Sequence, residues 1–326
     1  MIKVNELEKT YKSYQRGNDF LSTLKSIFKR KINYIEAVKG ISFDIDKGEL
    51  VGFIGPNGAG KSTTIKMLTG VLHPTAGEVD IIGYTPWQDR EQYVAHIGAV
   101  FGQKSQLIWD IPPVDAFYMN KAIYDIPAEE FEETKDKLVK MLEVEELIKK
   151  PTRQLSLGQR MKCEFIMAML HRPEIVFLDE PTIGLDVIAK ETIREFIKEM
   201  NKKGVTFILT THDLDDIEQL ARRVILINNG DILFDDTIEV LKKHLGNKKH
   251  IRLKTEEKLG DLSIHGVKCK QRISQKEFEI ELDNSLIEIK DFIDQVNQRA
   301  GVLDINIQEL PIERVIKVLF GQNKNV

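Results

Sequence analysis

Short apolar runs alternate with amphipathic segments over the first 245 residues of the chain. The runs Leu50–Ile54, Ile175–Asp179 and Val205–Thr210 are almost continuously apolar, which is typical of strands buried on both faces. Segments with helical spacing, Thr64–Leu68 and Ile188–Met200, lie between such runs. Strands that alternate with helices indicate a parallel sheet covered on both sides. The pattern therefore predicts an α/β domain.

Further elements of this domain are predicted from the same periodicities. Strands are expected at Ile2–Tyr11, Glu36–Asp46, Gly77–Gly83 and Ile97–Phe101, and helical segments at Pro112–Leu142 and Leu155–Leu170. An insertion at about 12–34 separates the first two strands. Its segment Phe20–Lys31 is amphipathic with a basic end, which is typical both of a helix that docks on a membrane or partner and of a helix packed on the core.

The composition changes at the polar and basic stretch Gly246–His250, where we predict the boundary of the first domain (1–245). Residues 246–326 are expected to form a small α+β domain without a catalytic constellation. Its predicted elements are strands at Ile251–Leu253, Gly266–Ile273, Phe278–Leu282 and Val302–Ile307 and a helix at Ile287–Gln298.

Composition excludes several classes of protein. The 326 residues are 42% hydrophobic and 30% charged with a net charge of −4, so no overall basic field is available for nucleic acid. The two cysteines, Cys163 and Cys269, form no C-x-x-C motif and suggest neither a disulfide framework nor a zinc site, as expected in a reducing cytosol. The start Met1–Leu7 lacks the apolar core of a signal peptide, and no run reaches the roughly 18 to 20 apolar residues of a membrane span.

A phosphate-binding loop is predicted at Gly55–Thr63, which fits G-x-x-x-x-G-K-[ST] between a strand and a helix. Glycines let the backbone aim its N–H groups inward as a nest for phosphate oxygens, and this setting disfavours a chance match. Lys61 is expected to bind the β- and γ-phosphates, and the Ser62 hydroxyl to bind magnesium. The predicted nucleotide contacts of the loop are Gly55, Asn57, Gly58, Gly60, Lys61, Ser62 and Thr63.

Two further sites follow the ends of apolar strands. Asp179 is expected to hold magnesium through water, and Glu180 to orient and deprotonate the attacking water. His212 follows the strand Val205–Thr210, which would place it at the same sheet edge, close to the γ-phosphate. Taken alone, an Asp-Glu pair is more often a helix-capping turn and a single histidine a helix cap. A neighbouring phosphate loop favours the catalytic interpretation of both.

These residues resemble the ATP-binding cassette (ABC) ATPases of membrane transporters over about Met1–Leu245. Leu155–Arg160 is similar to the LSGGQ signature, Gly184–Asp186 to the D-loop, and Gln103 and His212 to the glutamine-loop and switch residues of that family. The resemblance implies a phosphate-loop NTPase of ABC type, with a mixed sheet core and a helical subdomain at about 104–172.

The resemblance also implies the roles of individual residues. Glu180, His212 and Gln103 would be catalytic, and Ser62, Gln103 and Asp179 would bind Mg²⁺. The further ATP contacts would be Tyr11, which stacks on adenine, and Ser156, Gly158, Gln159 and Asp186. Tyr11 can also be interpreted as a surface tyrosine on an edge strand. Two positions depart from the family pattern: Leu157 replaces a signature glycine able to adopt positive φ, and Gln103 follows an additional glycine.

We therefore predict an ATPase subunit, most similar to exporters, that drives a separately encoded permease from the cytoplasmic face of the membrane. A helix Gln159–Leu170 would span about 18 Å and separate Ser156 from Asp179, so Ser156 is expected to reach ATP bound to a second copy of the chain. Two alternatives stay open at this point, a slow regulatory nucleotide switch and a nucleic-acid- or ribosome-associated ATPase. The single cassette and acidic charge disfavour the latter, and no nucleic-acid partner is expected.

Overall fold

The computed structural model describes residues 1–14, 32–102, 104–211, 213–243, 248–260 and 263–309. Contacts divide the chain into two compact units, Met1–Asp235 and Asp236–Val326. The predicted boundary at 246 falls at residues outside this description, so the division 1–245 and 246–326 stays a prediction. Most of the predicted insertion 12–34, with its amphipathic segment, also lies outside the described residues.

Helices and strands are numbered in chain order over the described residues. The first unit contains β1 (Ile2–Tyr14), β2 (Ile32–Ile45), β3 (Leu50–Ile54), α1 (Lys61–Leu68), β4 (Ala76–Ile81), α2 (Arg90–Val94), β5 (Ile97–Phe101), α3 (Pro113–Ile123), α4 (Ala128–Leu142), a 3₁₀ turn (Thr152–Gln154), α5 (Leu157–Met169), β6 (Ile175–Asp179), α6 (Val187–Lys202), β7 (Thr206–Thr210), α7 (Leu214–Leu220), β8 (Arg223–Asn228) and most of β9 (Asp231–Thr237). The second contains α8 (Ile238–Lys243), β10 (Lys248–Thr255), β11 (Val267–Arg272), β12 (Glu277–Asp283), α9 (Ile289–Ala300) and β13 (Val302–Glu309).

The main sheet of the first unit has the strand order β5-β6-β7-β3-β8-β9. The strands from β5 to β8 run parallel, and β3, β6 and β7 are buried almost throughout, as their continuous apolar sequence predicted. Thr210 at the end of β7 pairs with Asp179 on one side and with Phe53 on the other. The carboxyl ends of three strands thus meet at one edge of the sheet, which is where open α/β sheets bind ligands.

The N-terminal strands form a separate layer. β1 pairs antiparallel with both β2 and β4, which gives a three-stranded sheet in the order β2-β1-β4. Apolar side chains of this layer, such as Ile2, Val4 and Phe43, share one buried core with Phe53 of β3 and Phe177 of β6. The antiparallel sheet therefore shares its core with the main sheet, whose strand β3 leads into the phosphate-loop segment.

The helical subdomain consists of α3, α4 and α5. We predicted helical structure over about Pro112–Leu142, and the structure has two helices there, α3 and α4, with an interruption between them. Asp125 has a φ of +48° there, and Pro127, which has no N–H group to donate, lies immediately before α4. Among the described residues no helix is both long and apolar enough to cross a lipid bilayer.

The second unit is an α+β arrangement, in agreement with the sequence. Its antiparallel sheet has the order β11-β12-β10-β13. The inward-facing residues Phe278, Ile280 and Leu282 of β12 pack in one buried cluster with Phe292 and Val296 of α9. Alternate residues of β12 are acidic and only partly buried, so the strand separates an apolar face from a charged one.

Candidate functional site

The loop between β3 and α1 requires glycine at particular positions. Gly58 has a φ of +82° and Gly60 a φ of +112°, a region that residues with a Cβ avoid. A Cβ on Gly60 would lie 2.6 Å from the carbonyl oxygen of Ala37, and one on Gly55 would lie 2.2 Å from that of Ile227. Neighbouring strands thus approach the loop so closely that only glycine fits.

The Lys61 side chain is held inside this loop. Its Nζ donates to the carbonyl oxygens of Gly55 at 2.6 Å and Pro56 at 3.1 Å. Burial lowers the pKa of Lys61, while the negative charges of Glu180 and Asp179 oppose that shift. Because the ammonium group is partly desolvated, an anion that replaced the two carbonyl groups would interact with it more strongly than in water.

The Ser62 hydroxyl and the Asp179 carboxylate converge next to Lys61. Ser62 Oγ donates to Asp179 Oδ1 at 3.0 Å, and Thr210 Oγ1 donates to the same carboxylate oxygen. Hydroxyl and carboxylate oxygens are the ligand atoms that Mg²⁺ prefers, so the donor set fits this ion. No cluster of three or more His, Cys, Asp or Glu side chains among the described residues could hold a metal by itself. Mg²⁺ at this site would therefore rely on water and phosphate oxygens as well.

Glu180 occupies a strained backbone position beside Asp179. Its φ is +53°, and its N–H donates to the Thr210 carbonyl oxygen at 2.9 Å. Gly102 approaches so closely that a Cβ there would lie 2.0 Å from the Glu180 carbonyl oxygen. Non-glycine residues with such φ values concentrate at functional sites, where the surrounding structure holds them.

The phosphate loop, Asp179 and Glu180 line one cleft of about 970 Å³ in the first unit. Its lining includes every predicted contact of the phosphate loop together with Asp179, Glu180 and Tyr11. The Tyr11 ring is partly exposed, with Lys9 Nζ 5.5 Å from its centroid, so it is available for stacking. The cleft is large enough for a nucleotide, since ligand pockets commonly measure about 300–1,000 Å³.

The signature segment forms the start of α5, away from this cleft. Ser156 is the N-cap: its Oγ accepts from the Gln159 N–H at 3.3 Å, and Gln159 Oε1 accepts from the Ser156 N–H at 3.0 Å. Leu157 is the first residue of the helix and has no positive φ, so the glycine that it replaces is not needed for backbone freedom. The cleft, as lined by the described residues, does not include Ser156, Gly158 or Gln159.

Asp186 lies close to the signature helix. It caps α6, where its Oδ1 accepts from the Ala189 N–H at 2.8 Å. A Cβ on Gly158 would lie 2.8 Å from the Ala189 Cβ, so the first turns of α5 and α6 touch. Gln103 and His212 lie outside the described residues, and their roles stay predictions.

Two buried polar clusters next to the site were missed from the sequence. One joins Thr182, Arg194 and Asp216 behind the Glu180 turn. In the other, the buried Glu164 of α5 accepts hydrogen bonds from Ser105 Oγ and from the Gln106 N–H. Each links residues far apart in the sequence, and no local pattern marks such a pair.

Comparison with known proteins decides the family. The ABC transporter family matches residues 38–183. The ATP-binding protein EcfA of an energy-coupling factor transporter of Methanocaldococcus jannaschii is 33% identical over 221 residues, which cover 67% of this chain and 79% of EcfA. The chain belongs to the ABC transporter ATPases. It is therefore an ATP-binding protein with ATPase activity, and the family, the fold class and the enzyme activity predicted from the sequence are confirmed.

Two other similarities extend this result for the ABC ATPase. The linearmycin resistance ATP-binding protein LnrL of Bacillus subtilis is 28% identical over 298 residues, which cover 87% of this chain and 94% of LnrL. A dimeric structure of a post-hydrolysis state of the ATP-binding cassette MJ0796, bound to ADP and Pi, has a TM-score of 0.61 and 27% identity and covers 73% of this chain and 99% of that one.

Proposed function

We propose that this chain is the ATP-hydrolysing subunit of an exporter, which drives a separately encoded permease from the cytoplasmic face of the membrane. The similarity to LnrL, which is a resistance protein by name, supports the exporter assignment. This similarity covers 94% of LnrL and extends beyond the cassette of this chain. The observation that carries the ATPase mechanism is the single cleft in which the Lys61 loop, Asp179 and Glu180 meet.

Phosphate binding in this proposal rests on the loop and on Lys61. The backbone N–H groups that precede α1 and the N-terminus of that helix attract phosphate oxygens. Lys61 exchanges the Gly55 and Pro56 carbonyl groups, which it now contacts at 2.6 and 3.1 Å, for the β- and γ-phosphates. Ser62 and Asp179, with Gln103, would hold Mg²⁺. The ion would supply positive charge that neutralises the phosphate oxygens.

Hydrolysis in this proposal depends on Glu180. Its carboxylate orients the attacking water and accepts its proton. The strained backbone of Glu180 is held by Thr210 on one side and closely contacted by Gly102 on the other, which supports a fixed position for the carboxylate. His212 hydrogen-bonds the γ-phosphate, and Tyr11 stacks on the adenine.

A second copy of the chain completes each site. Ser156, Gly158 and Gln159 at the N-terminus of α5 contact the γ-phosphate of ATP held by the partner, and Asp186 lies at the same interface. The side chains of Val187 and Ile188, directly after Asp186, are 83% and 80% exposed, and burial in a dimer would remove this apolar surface from water. The dimeric form of the MJ0796 structure also supports this arrangement.

Glu180→Gln tests the proposed base. The variant is expected to bind ATP normally, because the phosphate loop is unchanged, and to accumulate an ATP-bound dimer because hydrolysis stops. ATP turnover and light scattering after gel filtration measure the two effects. Glu195→Gln, which removes an exposed carboxylate on α6, is the matched control. Turnover of the Glu180 variant at the parent rate would show that Glu180 is not the base.

Ser156→Arg tests the composite site. This variant is expected to bind ATP, because its own phosphate loop is unchanged. It is not expected to dimerise, because the substituted residue would have contacted the ATP held by the partner. Chains with Ser156→Arg mixed with Lys61→Ala chains should form heterodimers that keep one intact composite site. Loss of ATP binding by the Ser156 variant alone would mean that the signature segment serves its own chain.

Permease docking is proposed at the helical subdomain. Trp109 is 54% exposed there, and Ile108, Met119 and Ile123 of the same subdomain are also exposed apolar residues. Arg160 of α5 lies over the Trp109 ring at 5.9 Å, so Trp109 is in contact with the signature helix. Trp109→Ala is expected to preserve the ATPase activity of the free chain and to weaken co-purification with the permease. Leu303→Ala, an exposed position in the second unit, is the control, and unchanged co-purification and transport would place docking elsewhere.

A further inference from the structure

Three polar side chains of the first unit form a buried cluster behind the Glu180 turn. Thr182, Arg194 and Asp216 are only 2%, 7% and 0% exposed. Arg194 belongs to α6 and Asp216 to α7, whereas Thr182 lies in the turn between Glu180 and Asp186. The cluster thus joins two helices to the turn that carries the proposed base.

Both oxygens of the Asp216 carboxylate are used in this cluster. Arg194 contacts Asp216 Oδ1 with its Nε at 2.7 Å and its Nη2 at 2.5 Å. The Thr182 hydroxyl donates to Asp216 Oδ2. Arg194 also reaches the Glu191 carboxylate at the surface, 3.8 Å away. The charge of Asp216 is therefore balanced inside the fold by Arg194, and the Thr182 hydroxyl is the donor to its second oxygen, Oδ2.

A buried ion pair of this kind needs an explanation other than stability. Apolar residues of the same volume usually stabilise a fold as well as a buried pair or better, because both charges lose their hydration. The pair instead fixes an orientation. Arg194 holds the Asp216 carboxylate in place, so that its second oxygen accepts a hydrogen bond from one particular hydroxyl. In this chain that hydroxyl belongs to Thr182, two positions after Glu180.

Thr182 is well placed to control the turn. Its carbonyl oxygen accepts from the Leu185 N–H at 3.2 Å, and the Ile183 N–H donates to the Glu180 carbonyl oxygen at 3.4 Å. Glu180 itself is held from the other side by Thr210 of β7. The strained Glu180 backbone therefore lies between an anchor on the sheet and an anchor on the two helices.

We propose that Arg194 and Asp216 are positioning residues that fix the Glu180 carboxylate through Thr182. The inference rests on the proposed role of Glu180 as the base. Loss of the Thr182–Asp216 hydrogen bond lets the turn relax, which moves the carboxylate relative to the attacking water but leaves the phosphate loop intact. The consequence is a lower kcat at unchanged ATP affinity, since a displacement of about 1 Å can cost about 100-fold in rate.

Conservative substitutions in the full chain test this proposal. Thr182→Val keeps the size of the side chain but removes the donor, and is expected to lower kcat about 10- to 100-fold with the KM for ATP within about twofold. Thr182→Ser retains the hydroxyl and should keep nearly the parent kcat. Thr192→Val, a threonine on α6 outside the cluster, is the matched control and should be unchanged.

A second pair of variants tests the carboxylate. Asp216→Asn, which weakens the pairing with Arg194, should lower kcat as Thr182→Val does, while Asp215→Asn at the exposed neighbouring position should not. In the double variant Thr182→Val/Asp216→Asn the losses should be less than additive, because both changes remove the same link.

Two results would overturn the inference. The first is a parent-like kcat of Thr182→Val. The second is a parallel loss of kcat, ATP affinity and melting temperature in the same variant, which a merely structural role of Thr182 predicts. If Thr182→Val does not fold, Thr182→Cys replaces it in the test, because cysteine is of similar size and is a weaker donor. The positioning role then predicts the same result, a lower kcat with an unchanged KM for ATP. Glu180→Gln is assayed alongside: full turnover of that variant refutes the proposed base, whereas its inactivity with an active Thr182→Val refutes only the positioning role.

Discussion

Replacing Gly60 by alanine gives a sharp test of how the phosphate loop is built. A residue with a Cβ at a φ of +112° is strained by about 1–2 kcal/mol. The new Cβ would also lie 2.6 Å from the Ala37 carbonyl oxygen of β2, and relief of such overpacking typically costs about 1–3 kcal/mol more. The total expected cost for Gly60→Ala is therefore about 2–5 kcal/mol.

Gly58 provides the matched control within the same loop. Its φ of +82° is also positive, but a Cβ there would meet no atom within 4 Å. Gly58→Ala should therefore carry only the backbone strain, about 1–2 kcal/mol. The difference between the two variants measures the close approach of Ala37.

The assay combines urea denaturation with ATP-binding calorimetry. If the loop of Gly60→Ala stays in place, the cost lowers the free energy of unfolding. If the loop moves away from Ala37, the cost weakens ATP binding instead, by tenfold for about every 1.4 kcal/mol. Summed over both measurements, Gly60→Ala should lose at least about 1 kcal/mol more than Gly58→Ala. Equal losses would refute the argument that β2 selects glycine at this position.

Three further predictions concern buried ionisable groups. Lys61→Ala should lose most of its ATP affinity in calorimetry, because it removes the cation of the phosphate loop; unchanged binding would contradict this role. Cys163 is fully buried with its pKa raised to about 12, so a thiol reagent should label only the exposed Cys269 in the native chain and both cysteines in denaturant. Burial also raises the pKa of Glu164 above its ordinary value, so the native state binds that proton more tightly than the unfolded state. The stability of the parent relative to Glu164→Gln should then fall as the pH rises from about 4.5 through the native pKa. A pH-independent difference between the two unfolding free energies would contradict it.

Local patterns were sufficient to predict much of the cassette. The strands β3, β6 and β7 are apolar on both faces, so each was recognisable without knowledge of its neighbours. The phosphate loop was predictable for the same reason, since its glycines and Lys61 act within nine consecutive residues, Gly55–Thr63. Asp179 and Glu180 could be added because the end of a parallel strand has a fixed place in such a sheet.

Other features depend on contacts that no local pattern records. The pairing of β1 with β2 and β4 in a separate layer follows from packing over the main sheet. The Arg194–Asp216 pair joins two helices, and neither residue stands out in its own segment. Some signals were present but not used, such as Ser156-x-x-Gln159, which is a capping-box pattern, and the apolar runs around Asn229-Gly230 that form β8 and β9.

The strand order has a consequence for the synthesis of this protein on the ribosome. β3 leads into the phosphate loop, but its neighbours in the sheet are β7 and β8. Leu50 pairs with Phe207, which lies 157 residues later in the chain. At about 5–20 residues per second, the ribosome needs about 8–30 s to supply that partner. During this interval an apolar strand has finished translation without the strands that will flank it. The nascent chain therefore completes its ATP site only after β7 and β8 have been translated.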